Sequence, residues 1–234
     1  MKLIPCLLIS CLYLNSPSFA QMFGGSSYLS DHNGSVLKPN KNNDGVQGNP
    51  YLTEDWCKGQ IENRSGIKLD VEKLRFNIVQ NRVEYEFNKQ VYELSIPCIR
   101  FIIQLPSEDG RVGPHLFQSG FPAVDEQNGM TFYEVVYNGK CKLLKLHKVI
   151  LSEYAEPLSV NRIKRMRKIS VWYVFNPAKN KVIKFNKRTE ELESIFDDRK
   201  VEISEFIKSQ KIRKKPTDTE LEKICGFYDS IIEL

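Results

Sequence analysis

Apolar and charged residues alternate along most of the chain between residues 56 and 186, which predicts a series of β-strands. The first apolar positions are Ile67, Leu69 and Val71. After a slip of one residue, the apolar positions become Leu74, Phe76 and Ile78. Such a slip in a period of two is typical of a β-bulge, so we expect one near residue 73.

Three pairs of neighbouring strands are predicted to form hairpins. The first pairs residues 83–87 with 92–96, and the third pairs residues 171–175 with 181–185. In the second, Asn138-Gly139 separates the β-rich runs 131–137 and 140–149, which predicts a tight type I′ turn. The stretch 106–130 contains several Gly and Pro residues and is predicted to be a loop.

Helical spacing replaces the alternation from residue 189 onward. The first apolar series is Leu192, Ile195, Phe196, Ile203, Phe206 and Ile207. A second helix is predicted by a capping box from Thr217 to Glu220 and by an apolar stripe at Leu221, Ile224, Cys225, Tyr228 and Ile232. Strands followed by helices predict an α+β fold, in which an antiparallel, hairpin-rich sheet or a sandwich precedes C-terminal helices.

The N-terminus predicts export. Lys2 precedes an apolar run of about a dozen residues, and Ser18 and Ala20 form a small-x-small end, which together are typical of a cleavable signal peptide. An alternative is lipid attachment at Cys11, but little apolar sequence precedes it. We therefore expect a signal peptide at 1–20, a flexible low-complexity spacer at 21–50, and one domain at 51–234 with strands within 56–186 and helices within 189–232.

The net charge, the apolar runs and the cysteines limit the kinds of partner, location and cross-link that we expect. Removing residues 1–20 takes away one Lys and no acid, so the formal net charge falls from +5 to +4, which is too mild for a dedicated nucleic-acid binder. No second apolar run is long enough to span a membrane, so we expect a periplasmic or surface-associated protein. The remaining cysteines are Cys57, Cys98, Cys141 and Cys225. Three disulfide pairings are possible, as is a set of buried thiols.

Two stretches resemble a family of exported proteins of unknown function that is widespread in Bacteroidetes. One is the hairpin at 132–140 running into 143–145, and the other is the tail at 196–200, 206–208, 220–221 and 227–230. The resemblance spans roughly residues 50–232 and rests on hairpin and helix signatures. It implies an envelope location and no particular catalytic or binding residue.

No catalytic, cofactor-binding or metal-binding residue is predicted. Gly-x-Ser-x-Gly and His-Glu-x-x-His are both absent from the sequence. His32 lies in the spacer, His115 lies in the predicted loop, and His147 alternates with Lys145 on a strand face that we expect to be solvated. These contexts activate no nucleophile, so the sequence predicts a protein that is not an enzyme.

Basic runs are the strongest remaining signal. Residues 162–168 carry five positive charges, and further runs lie at 179–188 and 208–215. The predicted anion-binding residues are Arg162, Lys164, Arg165 and Lys168. The sequence thus predicts a non-catalytic envelope protein that binds or scaffolds, with an anionic envelope component as partner. The alternatives are a hydrolase without a recognisable motif, and charges that only keep the surface solvated.

Overall fold

The computed structural model describes residues 46–232, except for 64, 67, 88, 95–97, 107–109 and 156–161. The strands are β1 (Val46–Gln47), β2 (Cys57–Asn63), β3 (Lys68–Asn77), β4 (Arg82–Phe87), β5 (Gln90–Glu93), β6 (Cys98–Pro106), β7 (Val112–Gln118), β8 (Tyr133–Asn138), β9 (Lys142–Ala155), β10 (Arg162–Asn176) and β11 (Lys181–Phe185). The helices are α1 (Thr189–Ile195), a 3₁₀ turn (Asp197–Arg199), α2 (Lys200–Ser209) and α3 (Asp218–Ile231). The α+β class is confirmed. The predicted signal peptide and residues 21–45 of the predicted spacer lie outside the described residues.

All of these strands belong to one sheet with the order β1-β10-β9-β8-β7-β6-β2-β3-β4-β5, and β11 also pairs with β10. The pairing is antiparallel except between β1 and β10, where Val46 and Gln47 lie parallel to Lys164 and Arg165. The short strand β1 falls inside the predicted spacer. Its pairing partner is 118 positions later in the chain, so the local composition could not reveal it.

The predicted bulge is present between β2 and β3. Cys57 pairs with Leu74 and Gly59 pairs with Val71, so β3 contributes one more residue than β2 between these pairs. Before the extra residue the apolar side chains of β3 are at odd-numbered positions, and after it they are at even-numbered positions. Leu74 and Phe76 consequently remain buried at the far end of the strand.

The helices cover one face of the sheet at its β8–β11 end. Leu143 and Val174 of the sheet pack there against a buried helical set, which is Leu192, Ile195, Ile203, Ile207, Leu221, Ile224, Cys225 and Tyr228. The predicted capping box of α3 is present, because Thr217 Oγ1 accepts a hydrogen bond from Glu220 N–H while the Glu220 carboxylate accepts one from Thr217 N–H. The cap fixes where α3 begins, and its apolar stripe then lies on the sheet.

A second core lies at the end of the sheet that contains β2 to β7. Four phenylalanine rings pack together there, with Phe101 stacked on Phe117 at a centroid distance of 4.8 Å, and Phe76 and Phe132 completing the group. Asn81, in the β3–β4 turn, connects this turn to the segment before β8. Its Oδ1 accepts a hydrogen bond from Phe132 N–H at 3.0 Å, and its amide donates to the Met130 carbonyl at 2.8 Å.

The hairpin β8–β9 is present, but the predicted type I′ turn is wrong. Asn138 pairs with Lys142, so Gly139, Lys140 and Cys141 form a three-residue loop, and neither Asn138 nor Gly139 has the positive φ that a type I′ turn requires. The side chain of Asp229, from the last turns of α3, accepts hydrogen bonds from the N–H groups of Lys140 and Cys141, both at 2.7 Å. A tertiary contact therefore determines this turn.

Candidate functional site

One row of directly paired residues crosses eight strands of the sheet. Its members, from β3 through β2 and β6–β11, are Leu69, Ile61, Phe101, Phe117, Glu134, Lys145, Trp172 and Phe185. Directly paired residues lie on the same face of a sheet. Glu134 and Lys145 are therefore the polar interruption of an otherwise apolar row, and they lie between the two cores.

Glu134 lies between two histidines. His115 Nδ1 is 2.6 Å from Glu134 Oε1, and His147 Nε2 is 2.6 Å from Glu134 Oε2. Lys145 Nζ is 3.9 Å from the same Oε2. Because a carboxylate only accepts hydrogen bonds, the geometry assigns the proton to His115 Nδ1 and to His147 Nε2. The Glu134 carboxylate thus fixes the tautomer and the ring orientation of both histidines.

Because the Glu134 carboxylate is buried, its negative charge needs hydrogen-bonding and charged partners. Glu134 is only 7% exposed, and burial by itself would raise the pKa of its carboxyl group. The hydrogen bonds from His115 and His147, together with the positive charge of Lys145, outweigh burial and hold the pKa of Glu134 well below its usual range. Glu134 is therefore ionised at any physiological pH.

The sequence prediction missed this cluster because it misplaced two of its three members. His115 lies on β7, within the stretch predicted as a loop. Pro114 is tolerated there because this part of β7 pairs with β6 alone, and β8 joins β7 only at Phe117 and Gln118. His147, which was predicted to be solvated, has a side chain only 16% exposed. A strand through residues 112–118 would have been the signal that brings His115 to Glu134.

Two lysines and a tryptophan extend the polar interruption toward the helices. Lys145 Nζ lies 5.2 Å from the centroid of the Trp172 ring, and Lys187 Nζ lies 4.6 Å from it. Lys187 also forms an ion pair with Asp218 at the start of α3. Both lysines are thus already engaged by a carboxylate and an aromatic face, which limits their availability to a ligand.

The chemistry open to the cluster is proton transfer. Among the described residues, nothing hydrogen-bonds to His115 Nε2 or His147 Nδ1, and the His115 side chain is 30% exposed. Ser170 is the hydroxyl directly opposite His147 on β10, and it is exposed. Within the described chain, no group of three or more His, Cys, Asp or Glu side chains is arranged to hold a metal ion. In the cluster, one ring nitrogen of each histidine is hydrogen-bonded directly to an oxygen of the Glu134 carboxylate.

The predicted anion-binding residues all lie in β10, but they do not share one face. Lys164 and Lys168 are on the face that carries His147, and Arg165 is on the opposite face because strand residues alternate. Arg162 pairs with Ala155 in the backbone ladder. Lys164 and Lys168 therefore share one face and Arg165 lies on the other, so the predicted residues do not form a single basic face.

The other two basic runs are only partly neutralised among the described residues. Lys179 pairs with Asp197 at 2.7 Å, and Lys184 lies 3.8 Å from Asp125. Arg213 lies 3.7 Å from Glu220, in addition to the Lys187–Asp218 pair. In the third run, Lys208, Lys214 and Lys215 are exposed and form no ion pair with the described residues, so unpaired positive charge is present in the first run and in the third.

We call residues 148–153 of β9 and 164–170 of β10 the ribbon. In it, Lys164 and Arg167 have no acidic side chain within ion-pair distance among the described residues, and Lys168 Nζ donates to the carbonyl of Leu52 at 3.2 Å. Glu153 lies opposite Lys164 in the backbone register. At the centre of the ribbon, Leu151 faces Met166 directly, and Leu151 is 56% exposed. The ribbon combines unpaired cations with exposed apolar surface.

Two open depressions on the described surface lie away from the histidines. One, of about 670 Å³, is lined by residues of β11 and α1, including Ile183, Arg188 and Glu191. The other, of about 550 Å³, is lined by residues of β2, β3, β6 and β7, including Gln60 and Asp70. Neither depression has a lining histidine.

No protein-family model matches the chain, and no similar protein was found among curated proteins or solved structures. The resemblance to a Bacteroidetes family of exported proteins therefore stays a prediction. Its two stretches do meet in space, because Asp229 in the tail binds the loop of the hairpin. None of the helices in the described part of the chain is long and apolar enough to cross a membrane.

Proposed function

We propose that the protein is a non-catalytic, exported binding protein of the cell envelope and that its ribbon docks on an anionic lipid surface. The observation that supports this proposal is the juxtaposition, on one face of the ribbon, of Lys164 and Lys168 with the exposed Leu151 and the half-buried Met166. A soluble acidic polysaccharide would use the charges but would leave the apolar pair in water. A lipid surface uses both, since headgroup phosphates meet the cations and the acyl boundary accepts apolar side chains.

The expected strength follows from the charges. Each Lys or Arg close to an anionic membrane contributes about 1 kcal/mol. Removing Lys164 and Lys168 together should therefore weaken binding by roughly 30-fold. Because exposed charges are screened beyond about 8–10 Å at physiological ionic strength, binding should also fall steeply as salt is raised.

The test is sedimentation of the mature chain, starting at Gln21, with vesicles of phosphatidylcholine that contain or lack phosphatidylglycerol. The variant Lys164→Gln/Lys168→Gln should lose most of its binding to the anionic vesicles. Its matched control, Lys208→Gln/Lys214→Gln, changes the net charge equally at exposed positions of the third basic run. This control should bind like the wild type.

Three outcomes would count against the proposal: equal losses in both double variants, binding that ignores salt, or equal binding to neutral vesicles. The variant Leu151→Ser distinguishes the two sources of negative charge. If binding to vesicles falls while binding to an acidic polysaccharide such as alginate is unchanged, the apolar pair contributes as proposed. Preferred binding to alginate, unaffected by Leu151→Ser, would replace the lipid with a polysaccharide.

A hydrolase is the second candidate, and the His115–Glu134–His147 cluster is the observation that favours it. A carboxylate that orients an imidazole beside a hydroxyl is one element of nucleophilic catalysis. Here Ser170 would supply the hydroxyl. Labelling of Ser170 by a fluorophosphonate probe, lost in His147→Gln, would favour the enzyme over the binding protein, and the binding proposal predicts no labelling.

A further inference from the structure

The four cysteines of the predicted mature chain are distributed between the two cores in pairs. Cys57 and Cys98 contact the core at the β2–β7 end, and Cys141 and Cys225 belong to the core under the helices. Cys57 begins β2, whereas Cys98 pairs near Asn63 at the other end of the same strand. Six residues of strand span about 20 Å, which is far more than a disulfide can bridge.

Cys141 and Cys225 are in direct contact. The Cys141 thiol donates to the carbonyl oxygen of Cys225 at 3.6 Å. Both residues are fully buried, and both are free thiols in the structure. One helical turn after Cys225, Asp229 accepts the N–H of Cys141 at 2.7 Å. These two contacts hold α3 and the β8–β9 loop together next to the sulfur atoms.

We propose that Cys141 and Cys225 form a disulfide bond in the oxidised protein, and that this bond ties α3 to the β8–β9 loop. In the reaction with glutathione disulfide, the two thiols lose their hydrogens, a sulfur–sulfur bond forms, and the two electrons and two protons leave in two molecules of reduced glutathione. The bond closes a loop that contains β9, β10, β11, α1 and α2. This resolves the three pairings that the sequence leaves open in favour of one cross-link and two unpaired thiols.

The surroundings determine when the bond can form. Hydrogen bonding with Cys225, and then burial, raise the pKa of the Cys141 thiol far above its ordinary value. Only a thiolate attacks a disulfide, so the folded dithiol should react slowly. Oxidation should therefore be fast during folding, while the sulfur atoms are still accessible, and slow once α3 has packed.

The experiment refolds the chain in a glutathione redox buffer and measures its intact mass, its peptide map and its melting temperature. We expect a mass about 2 Da lower than that of the reduced chain, because two hydrogens are lost, and one linked pair of peptides that contains Cys141 and Cys225. The long loop predicts a rise in melting temperature of roughly 10 °C over the reduced protein. The same buffer applied to reduced, already folded protein should give the bond much more slowly.

Variants separate this cross-link from general effects of losing a thiol. Cys225→Ser should abolish the mass change, whereas the control Cys57→Ser/Cys98→Ser should retain it. Four free thiols after refolding, or a linked peptide that contains Cys57 or Cys98, would overturn the proposal. Because the oxidant is supplied in solution, the result does not depend on export or on lipid binding.

Discussion

Asp229→Asn tests whether α3 holds the β8–β9 loop through a carboxylate. Asp229 accepts three hydrogen bonds, from Lys140 N–H and Cys141 N–H at 2.7 Å and from the Tyr137 hydroxyl at 3.0 Å. An asparagine has the same shape but only one acceptor oxygen. Its amide N–H₂ would have to face one of the two backbone N–H groups, which also donate.

The magnitude follows from these three bonds. A hydrogen bond to a charged group contributes about 1.5–3 kcal/mol, and partial exposure of Asp229 favours the lower value. Asp229→Ala removes all three acceptor contacts and should cost about 4–5 kcal/mol of unfolding free energy. Asp229→Asn should cost about 2–3 kcal/mol, less than alanine, because its one carbonyl oxygen can still accept while the charge and the second acceptor oxygen are lost.

The assay is urea unfolding at neutral pH, combined with hydrogen exchange of the amides of Lys140 and Cys141. Both amides should lose protection in Asp229→Asn more than amides elsewhere in β9. Glu205→Gln is the matched control, since it changes an exposed helical acid to its amide and should stay within about 0.5 kcal/mol. If Asp229→Asn unfolds at the same urea concentration as the wild type and both amides stay protected, the carboxylate does not hold the loop.

Two further predictions concern the same face of the sheet. Glu134→Gln should cost about 2 kcal/mol at pH 7. The pKa of Glu134 is lowered in the folded state, so the difference in unfolding free energy between Glu134→Gln and the wild type should be full above the ordinary pKa of 4.5. This difference should shrink as the pH falls below 4.5. Urea unfolding that gives a constant difference from pH 7 to pH 3 would contradict this prediction. Gly139→Ala should cost about 2–3 kcal/mol, because its methyl group would collide with the Asp229 carboxylate and lie 2.6 Å from the Tyr137 ring. The cost should be smaller in an Asp229→Ala background, and additive costs in this double-mutant cycle would argue against the collision.

Local features of the fold could be predicted from the sequence. The bulge in β3 and the capping box of α3 depend on residues within about one turn or one strand of each other. The apolar stripe of α3 depends on helical spacing alone, and its members are buried as predicted. Each of these features is encoded where it occurs.

The candidate site could not be predicted in the same way, because its members meet through strand order. Glu134 contacts a histidine 19 positions before it and another 13 positions after it. Gly113 and Pro114 concealed the strand that brings His115 to this place. The Asn138-Gly139 signal gave the correct hairpin but the wrong turn, since the residue that determines the turn is Asp229, about 90 positions later in the chain.

The basic runs show a related limit. The sequence shows where the positive charges lie along the chain but not which acids approach them in the fold. Lys179 and Lys187 find Asp197 and Asp218, which come from the helices that pack back on the sheet. Lys164 and Arg167 lie on β10, and no acidic side chain of the described residues lies within ion-pair distance of them.

The edge of β10 has a consequence for how copies of this chain avoid one another. The strand pairs with β1 at residues 164–165 and with β11 at residues 172–176, so no described strand covers residues 166–171 on that side. A strand edge without a pairing strand invites pairing with another chain, and charged side chains are a common safeguard against such aggregation. Gly48 lies against the backbone of Met166, and Arg167 and Lys168 follow in this gap. Lys168, which is proposed to bind lipid, would therefore also help Arg167 to keep neighbouring molecules from adding strands to the sheet, and variants that remove these cations should be examined for self-association.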